Sequence, residues 1–159
     1  MGYSAITIHL PNKQNQSIIF EIQLGISAFI SGYPNNSRIG MKSMALIDTG
    51  STGSCISRNL ASSARLKSFK IIKVLGAHGF AFVPVYLVDV LLPNGIIFSN
   101  MEVAEFYGGN NFDFIIGMNI LRMGDMALTN AKGEKVFTFR MPPAETHIDF
   151  FEEEKNKRI

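Results

Sequence analysis

The sequence predicts a mainly β domain, on three observations. Its apolar residues fall in short segments that alternate with polar ones or run unbroken for a few positions. Gly, Asn and Pro separate these segments at close intervals. Helical character is confined to two short stretches, one after Ser57 and one after Gly117. A chain of 159 residues with 47% hydrophobic content fits one domain with a real core.

In chain order, Ala5 to Leu10 alternates weakly and gives way to a polar turn from Pro11 to Gln16. Ser17 to Leu24 is a second strand, which Ile26 to Ile30 extends past Gly25 through a bulge. Ser31 to Ser37 reads as a loop, and Arg38 to Ile47 as the strand that enters Asp48. Ser54 to Ser57 is a short strand, with Ser57 the N-cap of a helix reaching about Leu66. Ile71 to Leu75 and Phe80 to Leu87 flank Gly76-Ala77-His78-Gly79, a hairpin signal with two glycines. Val88 to Leu92 and Ile96 to Phe98 are joined by the turn Pro93-Asn94-Gly95. Met101 to Phe106 alternates again, and Phe112 to Ile116 is an apolar strand after a loop. Gly117 to Met123 is a short helix, followed by strands at Met126 to Thr129 and Lys135 to Arg140. The domain is expected to span residues 1–143 and to end at Met141-Pro142-Pro143. Residues 144–159, with Glu152 to Glu154 and Lys155, Lys157 and Arg158, read as a charged, flexible tail.

Composition excludes several function classes. The net charge is +2 with 18% charged residues, and the basic ones are scattered, so no nucleic-acid face is expected. The single Cys55 precludes an intramolecular disulfide and suits a reducing compartment. Met1 to Leu10 lacks the basic start and apolar core of a signal peptide. Position 6 is Ile where a myristoylation signal needs Ser or Thr. The apolar run from Phe80 to Leu92 contains Pro84 and Asp89 and is too short to span a bilayer. The reading is a cytoplasmic protein with no membrane partner.

Chemistry concentrates at Ala45-Leu46-Ile47-Asp48-Thr49-Gly50-Ser51-Thr52, where an apolar strand runs directly into a carboxylate. Placing a carboxylate there is costly unless hydrogen bonds or a function compensate it. Gly50 permits close backbone approach, while Thr49 and Ser51 supply hydroxyls. An ordinary Asx or Ser/Thr turn uses the same residue types. Further on, Phe112-Asp113-Phe114-Ile115-Ile116-Gly117-Met118-Asn119-Ile120-Leu121 carries a strand into Gly and a short helix.

Taken together, these two motifs and the glycine-bearing hairpin between them resemble the retropepsin-like aspartic proteases over roughly Met44 to Phe139. That resemblance implies a closed or half-barrel acid-protease domain with one or two short helices. It implies that Asp48 is catalytic and that Ile115, Ile116 and Gly117 form the strand behind it and part of the cleft wall. By the family's pattern Thr49 bonds across a two-fold axis, Gly50 donates its amide to the inner carboxylate oxygen, and Ser51 bonds the outer one. Gly76, Ala77, His78, Gly79 and Phe80 would form a flap over the substrate, although an ordinary surface hairpin has the same glycines. Because the chain holds one Asp-Thr-Gly, the resemblance implies a homodimeric endopeptidase with one aspartate from each subunit. Its partners are then a second copy of itself and a peptide or protein substrate, cut between apolar residues held by Phe80, Phe82, Ile115 and Ile116. The alternative is a catalytically silent dimerisation or peptide-binding module of the same fold. A serine hydrolase on Ser51 or Ser54 lacks the nucleophile-elbow pattern in Gly50 to Ser54. His9, His78 and His147 have no partners at metal-ligand spacing, so no metal or other cofactor is expected.

Overall fold

The computed structural model describes residues 4–10, 17–27, 39–76 and 79–157. Their order is β1 (Ser4–Leu10), β2 (Ile19–Ile26), β3 (Ile39–Ile47), β4 (Ser54–Ser57), α1 (Arg58–Ser63), β5 (Lys70–Gly76) and β6 (Gly79–Leu91), then β7 (Ile97–Phe106), β8 (Phe114–Ile116), α2 (Met118–Leu121), β9 (Asp125–Ala131), β10 (Glu134–Met141) and α3 (Phe150–Asn156). The fold is mainly β, as the apolar patterning implies.

Six strands close into a barrel. The order β2-β3-β8-β4-β7-β6 returns to its start because β6 also pairs with β2, from Gln23–Leu91 to Ile26–Val88. Closure leaves β5 outside the ring, with β6 as its ladder partner and the Lys70–Glu102 ion pair at 2.6 Å as a tie to β7. Inside the barrel the alternating residues Ile22, Leu24, Ile56, Val88, Val90, Val103, Phe114 and Ile116 are buried. Each such side chain contributes roughly 1.5–3 kcal/mol by leaving water.

A second sheet, β1-β10-β9, covers one end of the barrel. Ile6 of β1 and Phe137 and Phe139 of β10 are buried in one cluster with Phe20, Leu92, Ile120 and Leu121. Phe98 meets Phe139 with ring centroids 6.4 Å apart. The polar faces of these strands turn outward, which is how a three-stranded sheet becomes stable here.

Several boundaries differ from the sequence reading, each for a local reason. The strand from Phe80 does not break at Val88: β6 runs on to Leu91 and absorbs a register shift against β7 between Val88 and Val90. Asp89 lies at that shift, fully buried, with Oδ1 accepting from the Asn100 amide at 2.8 Å. Its Oδ2 has no partner among the described residues. Helix α1 stops at Ser63 rather than Leu66, since Arg65 adopts φ 52° and ends the turn. Ser57 caps it as expected, accepting from the Leu60 amide at 3.1 Å. Strand β8 starts at Phe114 rather than Phe112, whose ring stacks on Phe106 with centroids 6.0 Å apart. β2 carries the anticipated irregularity at Leu24/Gly25, and residues 28–30 lie outside the described chain. The tail holds a helix, α3, which the charge run concealed. Asp149 caps it by accepting from Phe151 and Glu152 amides at 2.9 and 3.2 Å. Among the described residues no helix is long and apolar enough to cross a membrane.

Candidate active site

The strand β3 delivers Asp48 to the end of the barrel, between the long β2 and the three-residue β8. Its neighbour β8 pairs in parallel through Ala45–Phe114, Leu46–Ile115 and Ile47–Ile116. The pairing then ends on a last ladder bond, Asp48 N–H to Ile116 O at 3.1 Å. The chain turns back there, with the Ser51 amide donating to Asp48 O at 3.3 Å. The Gly50 amide donates to Asp48 Oδ1 at 2.9 Å, which fixes the carboxylate plane. A Cβ on residue 50 would lie 3.2 Å from that oxygen, so glycine is what lets the amide approach.

The loop is braced from behind by residues 117–119. The Met118 and Asn119 amides, first donors of α2, are spent on Ser51 O at 2.8 Å and Thr52 O at 3.1 Å. Gly117 packs so closely that a Cβ there would sit 2.4 Å from Gly53 O. Its amide donates to Ser54 Oγ at 3.1 Å, and Ser54 in turn donates to Asn119 Oδ1 at 2.7 Å. These bonds hold the Asp48 turn against β8, while the Asn119 side-chain amide reaches on to Glu102 O of β7 at 3.4 Å.

In front of the loop lies a cleft of about 600 Å³. Its floor is Gly50 to Cys55, and its walls are Ile72, Val74, Leu75 and Val83 of the β5–β6 hairpin with Ala104, Glu105 and Phe106 of β7. Burial, aided by the nearby Asp48 charge, pushes the Cys55 thiol up, although a hydrogen bond with Ser51 offsets part of this. Cys55 is therefore a neutral thiol and a poor nucleophile. Glu105, at the cleft's edge, is desolvated, yet Tyr86 and Arg58 hold its carboxyl below the usual range. Tyr86 Oη donates to it at 2.7 Å and Arg58 Nε at 2.8 Å. Burial first, then that bond, pushes the Tyr86 phenol up to about 12.

The structure thus lines the cleft with Gly50 and Ser51, ties Asp48 to it through the Gly50 amide, and sets opposite them a hairpin that contains Gly76, Gly79 and Phe80. Ala77 and His78 lie outside the described residues. Three expectations need correction. The Ser51 hydroxyl donates to Gly53 O at 2.6 Å instead of to the Asp48 carboxylate. Ile116 and Gly117 do not line the cleft: Ile116 is buried in the barrel and Gly117 backs the loop, whereas Ile115 is half-buried and pairs with Cys55 of the cleft floor. Phe80 and Phe82 are exposed on the other face of the hairpin, because Ile72–Val83 and Val74–Ala81 are the pairs turned inward. Thr49 is exposed at the turn.

Ser54 and Asn119 escaped the sequence reading, although Asn119 stood in the quoted motif two positions after Gly117. The inward parity of Ile72 and Val74 needed the register of the hairpin, which two glycines alone do not set. Nothing in the sequence pointed to the Arg58–Glu105–Tyr86 group.

A mainly β closed barrel with a carboxylate at a strand-end turn, braced by a glycine-bearing strand and helix, defines a class, and comparison with known proteins agrees. The sequence matches the aspartyl protease family over residues 37–120, more than half of the chain, and the chain belongs to that family. It is an aspartic endopeptidase by that membership. The fold is similar to the crystal structure of a retropepsin-like aspartic protease from Rickettsia conorii, with a TM-score of 0.54 at 11% identity. That alignment covers 88% of this chain and 96% of the other. No curated protein matches the sequence.

Proposed function

We propose that the protein is a homodimeric aspartic endopeptidase in which Asp48 of each subunit forms one half of a catalytic dyad. The observation that carries this reading is the Asp48 turn itself. Its carboxylate is oriented by the Gly50 amide, and the residues that follow it, Gly50 to Cys55, line a mainly apolar cleft. Among the described residues no hydrogen bond or ion pair joins it to a second carboxylate in the same chain. A single carboxylate is a poor catalyst of amide hydrolysis. Two held within about 3 Å cannot both ionise, so they share one proton and divide the work.

In that division the ionised Asp48 takes a proton from water as the oxygen attacks the scissile carbonyl. The protonated Asp48 of the second subunit donates to the developing oxyanion, and later the proton passes to the leaving amine. Either subunit fills either role, so the two-fold axis runs between the carboxylates. Thr49 would make a contact across that axis, a role its exposure at the turn supports. Gly50 supplies the orienting amide, and Ser51 stiffens the loop through Gly53 O. The hairpin from Gly76 to Phe80 would close over a peptide whose apolar side chains meet Ile72, Val74 and Val83. The cytoplasmic setting remains tied to the lone, neutral Cys55.

Dilution and a poisoned mixture test the dyad together. Specific activity on a peptide library should fall below the dimer dissociation constant. Asp48→Asn should remove hydrolysis, and excess Asp48→Asn chain mixed into wild type should suppress it by forming single-aspartate dimers. Activity that stays constant per subunit at high dilution would refute a shared site. A folded dimer with no hydrolysis at any pH would favour a silent binding module.

A further inference from the structure

The β5–β6 hairpin has two apolar faces, and substrate accounts for only one. Ile72, Val74 and Val83 look into the cleft. On the opposite face Ile71, Phe80 and Phe82 are exposed at 68%, 67% and 75%, and Leu75, at 72%, lies at the rim where it borders the cleft as well. The cross-strand pairs Leu75–Phe80 and Lys73–Phe82 make this one continuous patch, with the Lys73 ammonium 4.0 Å from the Phe80 ring centroid. A grouped apolar surface of this kind marks an interaction site more often than scattered exposed residues do.

A second unpacked apolar patch sits at the other end of the chain. Helix α3 buries no residue, and Phe150 and Phe151 are 67% and 75% exposed, next to exposed Ile148. At seven residues it is too short to be stable alone in water and gains most of its stability by docking. The charges match as well. From Thr49 to Val88 the chain carries Arg58, Arg65, Lys67, Lys70 and Lys73 and no acidic residue. From Glu145 to Glu154 it carries Glu145, Asp149, Glu152, Glu153 and Glu154; Glu152 and Glu154 pair with Lys155 and Lys157 of their own segment, which leaves Glu153 as the helix acid outside those two pairs.

We propose that the outer face of the β5–β6 hairpin binds the C-terminal helix of a second copy of this chain, Phe150 and Phe151 against Phe80 and Phe82, Glu152 to Glu154 near Lys73. Exchanged by two-fold symmetry, each tail covers the other subunit's hairpin, and the contact closes as a dimer instead of growing into a filament. The hairpin would then be held on one face by substrate and on the other by the partner's tail. Tail docking stiffens the element that must lift to admit a peptide, so it sets cleft opening without touching the reacting atoms.

Carbodiimide cross-linking of the full chain tests this, in an Asp48→Asn background so that no tail is lost to cleavage. In an equal mixture of 14N and 15N chains, Lys73 should join Glu152, Glu153 or Glu154, with about half of the joined peptides of mixed isotope for a two-fold exchange. Hydrogen exchange supplies a second readout. Deleting residues 145–159, or replacing Phe150 and Phe151 by Ser, should speed exchange of the β5–β6 amides by about tenfold. The affected side chains are exposed, so neither change threatens the fold. Lys73→Glu should abolish the cross-links, and Lys73→Glu combined with Glu153→Lys should recover slow exchange. Cross-links confined to single-isotope pairs would place the tail on its own subunit and overturn the exchange. Absent cross-links with unchanged hairpin exchange would overturn docking altogether. Flotation with phosphatidylserine vesicles that Phe82→Ser abolishes, without cross-links, would assign the face to a membrane instead.

Discussion

The Asp48 turn and the β5–β6 hairpin face each other across one cleft, yet they are built on opposite terms. The turn is over-determined: β8, α2, Ser54 and Asn119 all spend backbone or side-chain hydrogen bonds on a few residues. The hairpin arm β5 has a single ladder partner, β6, and stands outside the closed barrel. Tight bracing keeps the carboxylate oriented, which is the preorganisation that charge stabilisation requires. Loose attachment lets the opposing wall move at low cost. Substitutions should therefore split into two groups, with stability and turnover changing together at the turn and substrate affinity changing alone at the hairpin.

The largest effect is expected at Gly117. Gly117→Ala forces a methyl against the Gly53 carbonyl, and neither the Asp48 loop nor β8 has room to retreat. Overpacking of this kind costs up to about 3 kcal/mol. Thermal unfolding should show that loss together with near-complete loss of activity. A folded variant of wild-type stability and activity would mean that the brace is softer than its geometry.

Ser54→Ala comes next. It strips the acceptor from the buried Gly117 amide and the donor from Asn119 Oδ1. An orphaned buried donor costs about 1–3 kcal/mol. The fall in kcat should exceed any rise in KM, because Ser54 touches the support of Asp48 and not the reacting atoms. A change in KM alone would move Ser54 from the brace to the cleft surface.

Glu105 sharpens the boundary between the two regions, since it borders the cleft but is tied to α1 and β6 through Arg58 and Tyr86. Its folded carboxyl is depressed, so its charge stabilises the fold above the ordinary Glu range, and that contribution is lost as pH falls through the depressed value. Glu105→Gln should cost about 1.5–3 kcal/mol at neutral pH, the scale of one hydrogen bond to a charged group. The difference from wild type should shrink in strong acid, where both side chains are neutral. A penalty independent of pH would assign the loss to packing.

Much of this arrangement was legible in the sequence, for physical reasons that also mark where legibility stops. The turn could be read because its requirements are local: a strand end, a carboxylate, and a glycine whose amide must come close at Gly50. Ser57 could be read as a cap for the same reason. Barrel closure was legible only through the family resemblance and not from the local pattern, since pairing Gln23 with Leu91 and Gly25 with Asp89 joins strands far apart in sequence. The inward wall was misassigned at Phe80 and Phe82 because size suggested a cleft while register decides which face a side chain takes. Helix α3 was hidden by its charges, although Asp149, Glu152 and Lys155 stand where a cap and the helix dipole favour them.

The smallest effect on stability, and the one that best isolates the hairpin, is expected from Val74→Ala. Val74 is half-buried, pairs with Ala81, and faces the cleft away from the barrel core. Trimming it leaves no buried cavity, so unfolding should shift by no more than about 0.5 kcal/mol. Peptides with a large apolar side chain lose a wall contact in ground and transition states alike, which raises KM and leaves kcat in place. Removal of two methyl groups at about 0.8 kcal/mol each sets an upper bound of about fifteenfold on that rise. Peptides with small side chains never reach Val74 and should show no change, which makes the ratio between the two substrates the measurement to take. A matched fall in kcat for both would show that the hairpin is coupled to the Asp48 turn after all, and the contrast between a rigid floor and a movable wall would fail.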